Sequence, residues 1–272
     1  MSEKEIIAGT AQGPITRDKL AADLRALGVE DGMVLVVHSS LSALGWVSGG
    51  APAVVLALED ALGERGTLVM PAHSGDLSDP ADWSNPPVPE DWFPVIRETM
   101  PAFDRDLTPT RGMGAVPEIF RKQRGTVRSS HPQGSFTARG PLAEVITAAH
   151  QLEFAFGENS PLARVYDAEG WILLLGVGQE SNTSLHLAEY RADFSGKEEI
   201  QQGAPVLVEG ERKWVTFREY AEHSERFPEI GEAYQRSGGE VRTGQVGQAE
   251  ALLIPQRELV DFAVQWLETN PA

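Results

Sequence analysis

The sequence predicts an α/β fold: a layered α/β/α domain with a central, largely parallel or mixed sheet, a loop-rich lid, and a C-terminal portion of hairpin and helix. Three observations carry the expectation. Apolar strand-like runs alternate with helical periods over residues 16–74, those runs end in polar residues, and an amphipathic stretch closes the chain. Residues 1–13 show no period and read as a loose lead-in. Thr16 is a good N-cap for a helix whose Leu20, Leu24 and Leu27 recur at helical spacing and stop at Gly28. Met33 to Val37 reads as a buried strand running into His38, Ser39 and Ser40. Pro52 opens a second helix, carried by Val54, Val55, Leu58 and Leu62 and ended by Gly63. Thr67 to Met70 is a second short strand, leading to His73 and Ser74.

Residues 76–110 are rich in Pro and Trp and lack a clean period, which marks an ordered, lid-like insertion anchored by Trp83, Trp92, Phe93 and Phe103. Helical character returns at Val116 to Phe120 and at Pro141 to Ala149. Trp171 to Leu175 is the clearest strand, followed by Gly176-Val177-Gly178 and a helix capped by Asn182 or Thr183. Residues 205–217 read as a hairpin turning at Gly210. The closing helix carries Leu259, Val260, Phe262, Ala263, Trp266 and Leu267 on one face. No repeat or linker divides the chain, so residues 1–272 read as one domain.

Composition narrows the function. The chain has 272 residues, with 23 Lys plus Arg against 40 Asp plus Glu, a net charge of −17. That balance argues against nucleic-acid binding, which needs a cationic surface. It suits a cationic partner. Absence of cysteine removes thiol nucleophiles, zinc fingers and iron–sulfur ligation. The N-terminus lacks the basic start and apolar stretch of a signal peptide, and no run approaches the ~20 apolar residues of a spanning helix, so a cytoplasmic protein without membrane contact is expected.

In parallel sheets, ligands gather at the carboxyl ends of strands, here His38-Ser39-Ser40, His73-Ser74 and the turn after Leu175. Beyond that turn, His186 and Glu189 stand three residues apart, on one helical face. A carboxylate on one ring nitrogen fixes the tautomer and leaves the other nitrogen as a base, whereas a lone histidine only caps or packs. The helix dipole opposes the carboxylate, and the balance would hold His186 near neutrality. Residues 101–140 carry net +4 within this acidic chain and include a Gly112-Met113-Gly114 turn running into a helix, a candidate anion cradle. As a dinucleotide fingerprint the turn fails, because Pro117 occupies the third glycine position. Acidic residues gather instead at 76–98 and 219–229. No Gly-x-Ser-x-Gly elbow, P-loop or metal-ligand spacing occurs.

Five motifs occur in order: Val37-His38-Ser39-Ser40-Leu41, Gly66-Thr67-Leu68-Val69-Met70-Pro71, Thr110-Arg111-Gly112-Met113-Gly114, Arg128-Ser129-Ser130-His131-Pro132, and Asn182-Thr183-x-x-His186-x-x-Glu189. Together they resemble the aminoglycoside 3-N-acetyltransferase family, the antibiotic N-acetyltransferase superfamily, unrelated to the GNAT fold; the likeness spans roughly residues 16–267. The resemblance implies transfer of acetyl from acetyl-CoA to the 3-amino group of the deoxystreptamine ring, conferring antibiotic resistance. It implies His186 as general base, Glu189 as its orienting partner and His38 as a secondary candidate near the thioester. Ser39, Ser40, Leu41, Gly45, Arg111, Gly112, Met113, Gly114 and Val116 would cradle the cofactor. Strand-end N–H groups or the hydroxyl of Thr183 are candidate oxyanion donors. Asp76, Asp79 and Glu222 are candidates, on charge and rough position, for contacts to the polycationic acceptor. No metal is expected, and a homodimer is compatible with the aromatic lid. The alternatives are acyl transfer to another small primary amine, a metal-dependent hydrolase built on His38, His73 and His186, and a protein that sequesters the drug without turnover.

Overall fold

The computed structural model describes residues 2–10 and 13–270. Glu3–Gly9 (α1) is a short helix closed by a capping box between Ser2 and Glu5, and it corrects the expectation of a loose lead-in. Caps made this helix where no apolar period announced it, since none of its residues is buried. Residues 1, 11 and 12 of that stretch lie outside the described residues. Next come α2 (Arg17–Leu27), β1 (Val34–Ser39), α3 (Gly50–Leu62), β2 (Thr67–Pro71), α4 (Phe93–Thr99) and α5 (Ala115–Lys122). The Thr16 hydroxyl caps α2 and Gly28 ends it at φ 109°, as the sequence predicts.

The second half runs β3 (Val127–Arg128), β4 (Phe136–Arg139), α6 (Ala143–Thr147), α7 (Pro161–Asp167), β5 (Trp171–Leu175) and α8 (Ser184–Arg191). It continues through β6 (Glu199–Val208), β7 (Glu211–Tyr220), α9 (Phe227–Arg236), β8 (Arg242–Val246), β9 (Ala249–Pro255) and α10 (Gln256–Thr269). The main sheet has the order β3-β4-β2-β1-β5-β9-β8. Only β1 pairs in parallel, with β2 on one side and β5 on the other; every other pairing is antiparallel. The sheet is therefore mixed, with its parallel core formed by the three strands read from sequence. Of the added antiparallel strands, β3, β4 and β8 lack a clear apolar signal of their own, whereas β9 carries the apolar run Ala251 to Ile254, which the sequence reading passed over.

Alternate residues of the central strands feed opposite faces, the period-2 rule made visible. Leu35, Val37, Leu68, Met70, Leu173 and Leu175 join α2, α3 and α5. Val34, Val36, Val69, Ile172 and Leu174 join α6 to α10. These are the layers of the α/β/α arrangement. The carboxyl ends of β1, β2 and β5 point the same way, so His38, His73 and the turn at Gly176 meet at one sheet edge.

The hairpin β6–β7 is longer than predicted and pairs through ten residues on each strand. Its turn has Glu209 and Gly210 at φ 55° and 82°, the two positive values a two-residue I′ turn requires. The 76–110 segment packs on this hairpin: Phe103 N–H donates to Pro205 O at 3.0 Å, and Arg212 Nε to Met100 O at 2.9 Å. Of its aromatic anchors Phe103 is buried, whereas Trp92 is 55% exposed. Among the described residues no helix is long and apolar enough to cross a membrane.

The turn between β3 and β4 is built from buried polar groups. Arg128 is buried without a carboxylate; it donates to the carbonyls of Ala72 (2.7 Å) and Thr108 (2.5 Å) and to Ser135 Oγ (3.0 Å). His131 Nδ1 accepts from Gly134 N–H at 2.8 Å, which leaves its Nε2–H to Leu152 O at 3.0 Å. His150 Nε2 lies 2.7 Å from Ala155 O.

Burial pushes His38, His73 and His150 down to about 3, and His131 to about 4. Unfolded histidines take up protons near pH 6.5, and these four native ones do not, so the unfolded state binds more protons below that value. Stability therefore falls as pH drops from about 6.5 toward 4. His186, whose pKa is raised, contributes in the opposite sense, one group against four. A lower urea midpoint at pH 5 than at pH 7.5 is expected; an unchanged or higher midpoint would contradict neutral burial.

Candidate active site

Helix α8 begins where β5 ends, and its start is pinned by side chains. Asn182 Oδ1 accepts from Ser184 N–H at 3.3 Å, while Asn182 Nδ2 donates to the buried Gln179 at 2.8 Å. Gln256 reaches across from α10 to Ser184 Oγ at 3.1 Å. Thr183 occupies the cap position with no side-chain cap bond, so of the two predicted caps it is Asn182 whose side chain serves. Gly176 lets β5 turn tightly here: it has φ 69°, and a Cβ would lie 2.5 Å from that of Ala43.

This frame sets His186 facing Glu189 one turn on. His186 Nδ1 and Glu189 Oε2 lie 2.6 Å apart, with both side chains buried. The second oxygen, Glu189 Oε1, accepts the backbone N–H of His223 at 3.0 Å, beyond the end of β7. Phe156 stacks on the imidazole at 5.1 Å and 16°, and Phe227 meets it edge-on at 4.8 Å. On the other side, His186 Nε2 is 4.0 Å from the half-exposed Glu222. Burial works to lower the His186 pKa, but the Glu189 hydrogen bond and the charges of Glu222, Glu189 and Glu219 overcome it, and the net shift is upward.

Three hollows open in a row on this ring. The central chamber, about 360 Å³, is lined by His38, Ser39, His73, Thr183, His186 and Glu222, among others. An outer cleft of about 660 Å³ shares Ser39, Gly112 and Met113 with it. A side pocket of about 400 Å³ shares His73, Phe156 and Glu222. His186 thus sits where two approaches meet.

Ser39, Ser40, Leu41, Gly45, Gly112, Met113, Gly114 and Val116 all line the outer cleft. Gly112 and Gly114 have φ 73° and 83° with nothing within 4 Å of a built Cβ, so backbone faces open space there. Arg111 does not line it: its N–H donates to His73 O at 2.8 Å and its exposed guanidinium lies 3.4 Å from Asp76. Asp79 caps the turn at Ala81 and pairs with Arg97 at 2.6 Å. Neither Asp76, which stays exposed, nor Asp79 lines these hollows, and of the expected acidic contacts Glu222 lines both the chamber and the side pocket. The basic segment is also largely committed: Arg121 and Lys122 to Glu118, Arg139 to Glu59, and Arg128 to carbonyls. Among the described residues no group of three or more His, Asp or Glu is placed to hold a metal ion.

Sequence reading missed Tyr190 and Phe156, and named Glu219 only within the acidic stretch at 219–229. Glu219 is buried against the side pocket and accepts from Ala155 N–H (2.8 Å), Tyr220 N–H (3.0 Å) and the Tyr190 hydroxyl. Burial and the Glu222 charge raise its pKa against those bonds. It lies at the end of a strand whose alternation is weak, so its burial had no local signal.

The geometry can be set beside known proteins. The family model described as aminoglycoside 3-N-acetyltransferase matches residues 36–268. The SPbeta prophage-derived aminoglycoside N(3')-acetyltransferase-like protein YokD of Bacillus subtilis is 46% identical over 98% of this chain and 97% of its own; its crystal structure superposes with a TM-score of 0.95. Aminoglycoside N(3)-acetyltransferase VII of Streptomyces paromomycinus is 40% identical over 95% of this chain and 93% of its own. AAC-IIIb, solved as a binary complex with CoASH, is 34% identical and has a TM-score of 0.84, with 94% of this chain and 97% of that one covered.

Replacing Glu189 by Gln removes the hydrogen-bonded charge while burial remains. The His186 titration, followed by NMR of the imidazole, is then expected to move to lower pH. A titration unmoved from wild type would refute the role given to this pair.

Proposed function

The chain belongs to the aminoglycoside 3-N-acetyltransferase family, and from that premise we propose that it transfers acetyl from acetyl-CoA to the 3-amino group of a deoxystreptamine ring. One observation carries the reading: a buried base, His186, stands at the junction of a backbone-lined cleft and a carboxylate-lined pocket. The cleft residues suit a phosphate-bearing thioester, since glycines at 112 and 114 leave room for close backbone approach and offer N–H groups. Glu219 and Glu222 suit the ammonium groups of the acceptor.

His186 accepts the proton of the attacking amine through Nε2, while Glu189 on Nδ1 fixes the tautomer and stabilises the imidazolium. Such a base contributes typically 10²–10⁴ in rate. The Thr183 hydroxyl, free of a cap bond, is available to the chamber. The chain has no cysteine, so transfer proceeds directly between the two bound substrates rather than through an acyl-thiol enzyme. Acetylation removes one positive charge from the drug, the basis of resistance. Action where acetyl-CoA is made, in the cytoplasm, goes with this reading.

A second reading, transfer to another small primary amine, draws support from the side pocket, whose lining carries only two carboxylates. A panel of aminoglycosides and simple diamines, each with acetyl-CoA and scored by free-thiol release, separates them. Turnover on aminoglycosides is expected, and His186→Ala is expected to lower kcat by about 10²-fold or more. Turnover confined to the diamines would favour the second reading, and a His186→Ala rate equal to wild type would end the base assignment. Because His186 must be neutral to act, kcat/KM should rise with pH through its elevated pKa.

A further inference from the structure

Two buried imidazoles other than His186 line the central chamber, and both leave Nε2 without a hydrogen-bond partner: His38 and His73. Ser39 Oγ, in the same lining, is unpartnered too. Buried polar atoms in native proteins are nearly always satisfied, so three orphans at one site call for a ligand group. The two rings differ in the hollows they reach. His73 lines the side pocket as well as the central chamber, whereas His38 lines the central chamber alone. His38 is therefore the ring clear of the acceptor pocket. It is only 5% exposed, on a strand fixed by parallel ladders on both edges, so its position is set by the sheet.

We infer that His38 is a catalytic residue in its own right: a neutral imidazole whose ring N–H donates to the acyl oxygen of the thioester as negative charge develops there. The inference rests on the acetyl-transfer reading. As the amine nitrogen bonds to the acyl carbon, the carbonyl π pair moves onto oxygen and His186 takes the amine proton. Collapse re-forms the C=O bond and breaks C–S, and the thiolate leaves with the proton returned from His186. The charge on oxygen is transient, so a fixed donor in a dry chamber acts on the transition state more than on the bound ester. Neutrality suits the role: a second cation here would compete with protonation of His186, whose charge already disfavours a charged His38. Burial keeps the ring neutral.

The test uses His38→Ala, His38→Asn and His38→Gln, each compared with wild type for thermal midpoint, CoA affinity and steady-state kinetics. An Asn amide falls near the place of Nδ1 and a Gln amide near that of Nε2. His38→Ala is expected to lower kcat by about 10²–10³ with KM for acetyl-CoA little changed, and one amide is expected to recover at least about tenfold. The amide that recovers identifies the donating nitrogen. The inference is overturned if His38→Ala keeps kcat within about threefold, if its loss lies in KM and CoA affinity, or if neither amide recovers activity. Should wild type turn over no aminoglycoside, the acceptor assignment fails separately. The same variants are then compared on hydrolysis of acetyl-CoA to acetate and CoA, in which water attacks the same carbon through the same oxyanion, and the same criteria apply.

Discussion

A buried carboxylate has to be satisfied at both oxygens, and Glu189 does this by joining parts of the chain that are distant in sequence. Its Oε2 meets His186 within α8, and its Oε1 takes the N–H of His223 beyond the hairpin. An unpaired carboxylate in this position would carry a large desolvation cost, so the hairpin exit and the helix are mutually constrained. Much of the site follows. The hairpin brings Glu219 and Glu222 to the pocket wall, and the aromatic rings of Phe156 and Phe227 close the dry side of the imidazole.

The distribution of charge has a different logic from its count. Net −17 with a +4 segment suggests opposed surfaces, one for an anion and one for a cation. In the folded chain most cations of that segment serve the structure: Arg121 is buried against Glu118, and Arg128 acts as a clamp on carbonyls in place of a ligand contact. The cleft lining contains no Lys or Arg at all. An anion there would be held by backbone N–H groups and helix ends, where glycine, lacking a side chain, permits close approach. On the acceptor side two carboxylates remain, and one of them is buried and already accepts three hydrogen bonds.

What the sequence revealed tracks where the physical signal is local. The parallel strands β1, β2 and β5 are continuous apolar runs because both faces are covered, and their ends named His38 and the His186 region directly. The spacing of His186 and Glu189 is a helical relation, legible as soon as the helix is. Strands β3 and β4, of two and four residues, owe their form to pairing, β4 with β2 and β3 with β4, and carry no pattern of their own. The burial of Glu219 was illegible for a similar reason: it comes from Tyr190 and Ala155, which are distant in the chain. Asp76 and Asp79 show the converse. Their charge was visible, but their partners Arg111 and Arg97 were assigned by the fold.

The chamber holds three imidazoles under nearly the same burial, yet their protons are placed differently. His38 and His73 are driven down to about 3, whereas His186 moves up. Desolvation acts on all three in the same direction, so it cannot distinguish them. What separates them is one carboxylate at hydrogen-bond distance, with Glu222 4.0 Å away on the other edge. A proton entering the chamber therefore has one stable place to rest, on His186, and the neighbouring rings reinforce this because a charge on either would repel it. The fold thus specifies one ring that holds a proton and two neutral ones, and it does so through the position of Glu189.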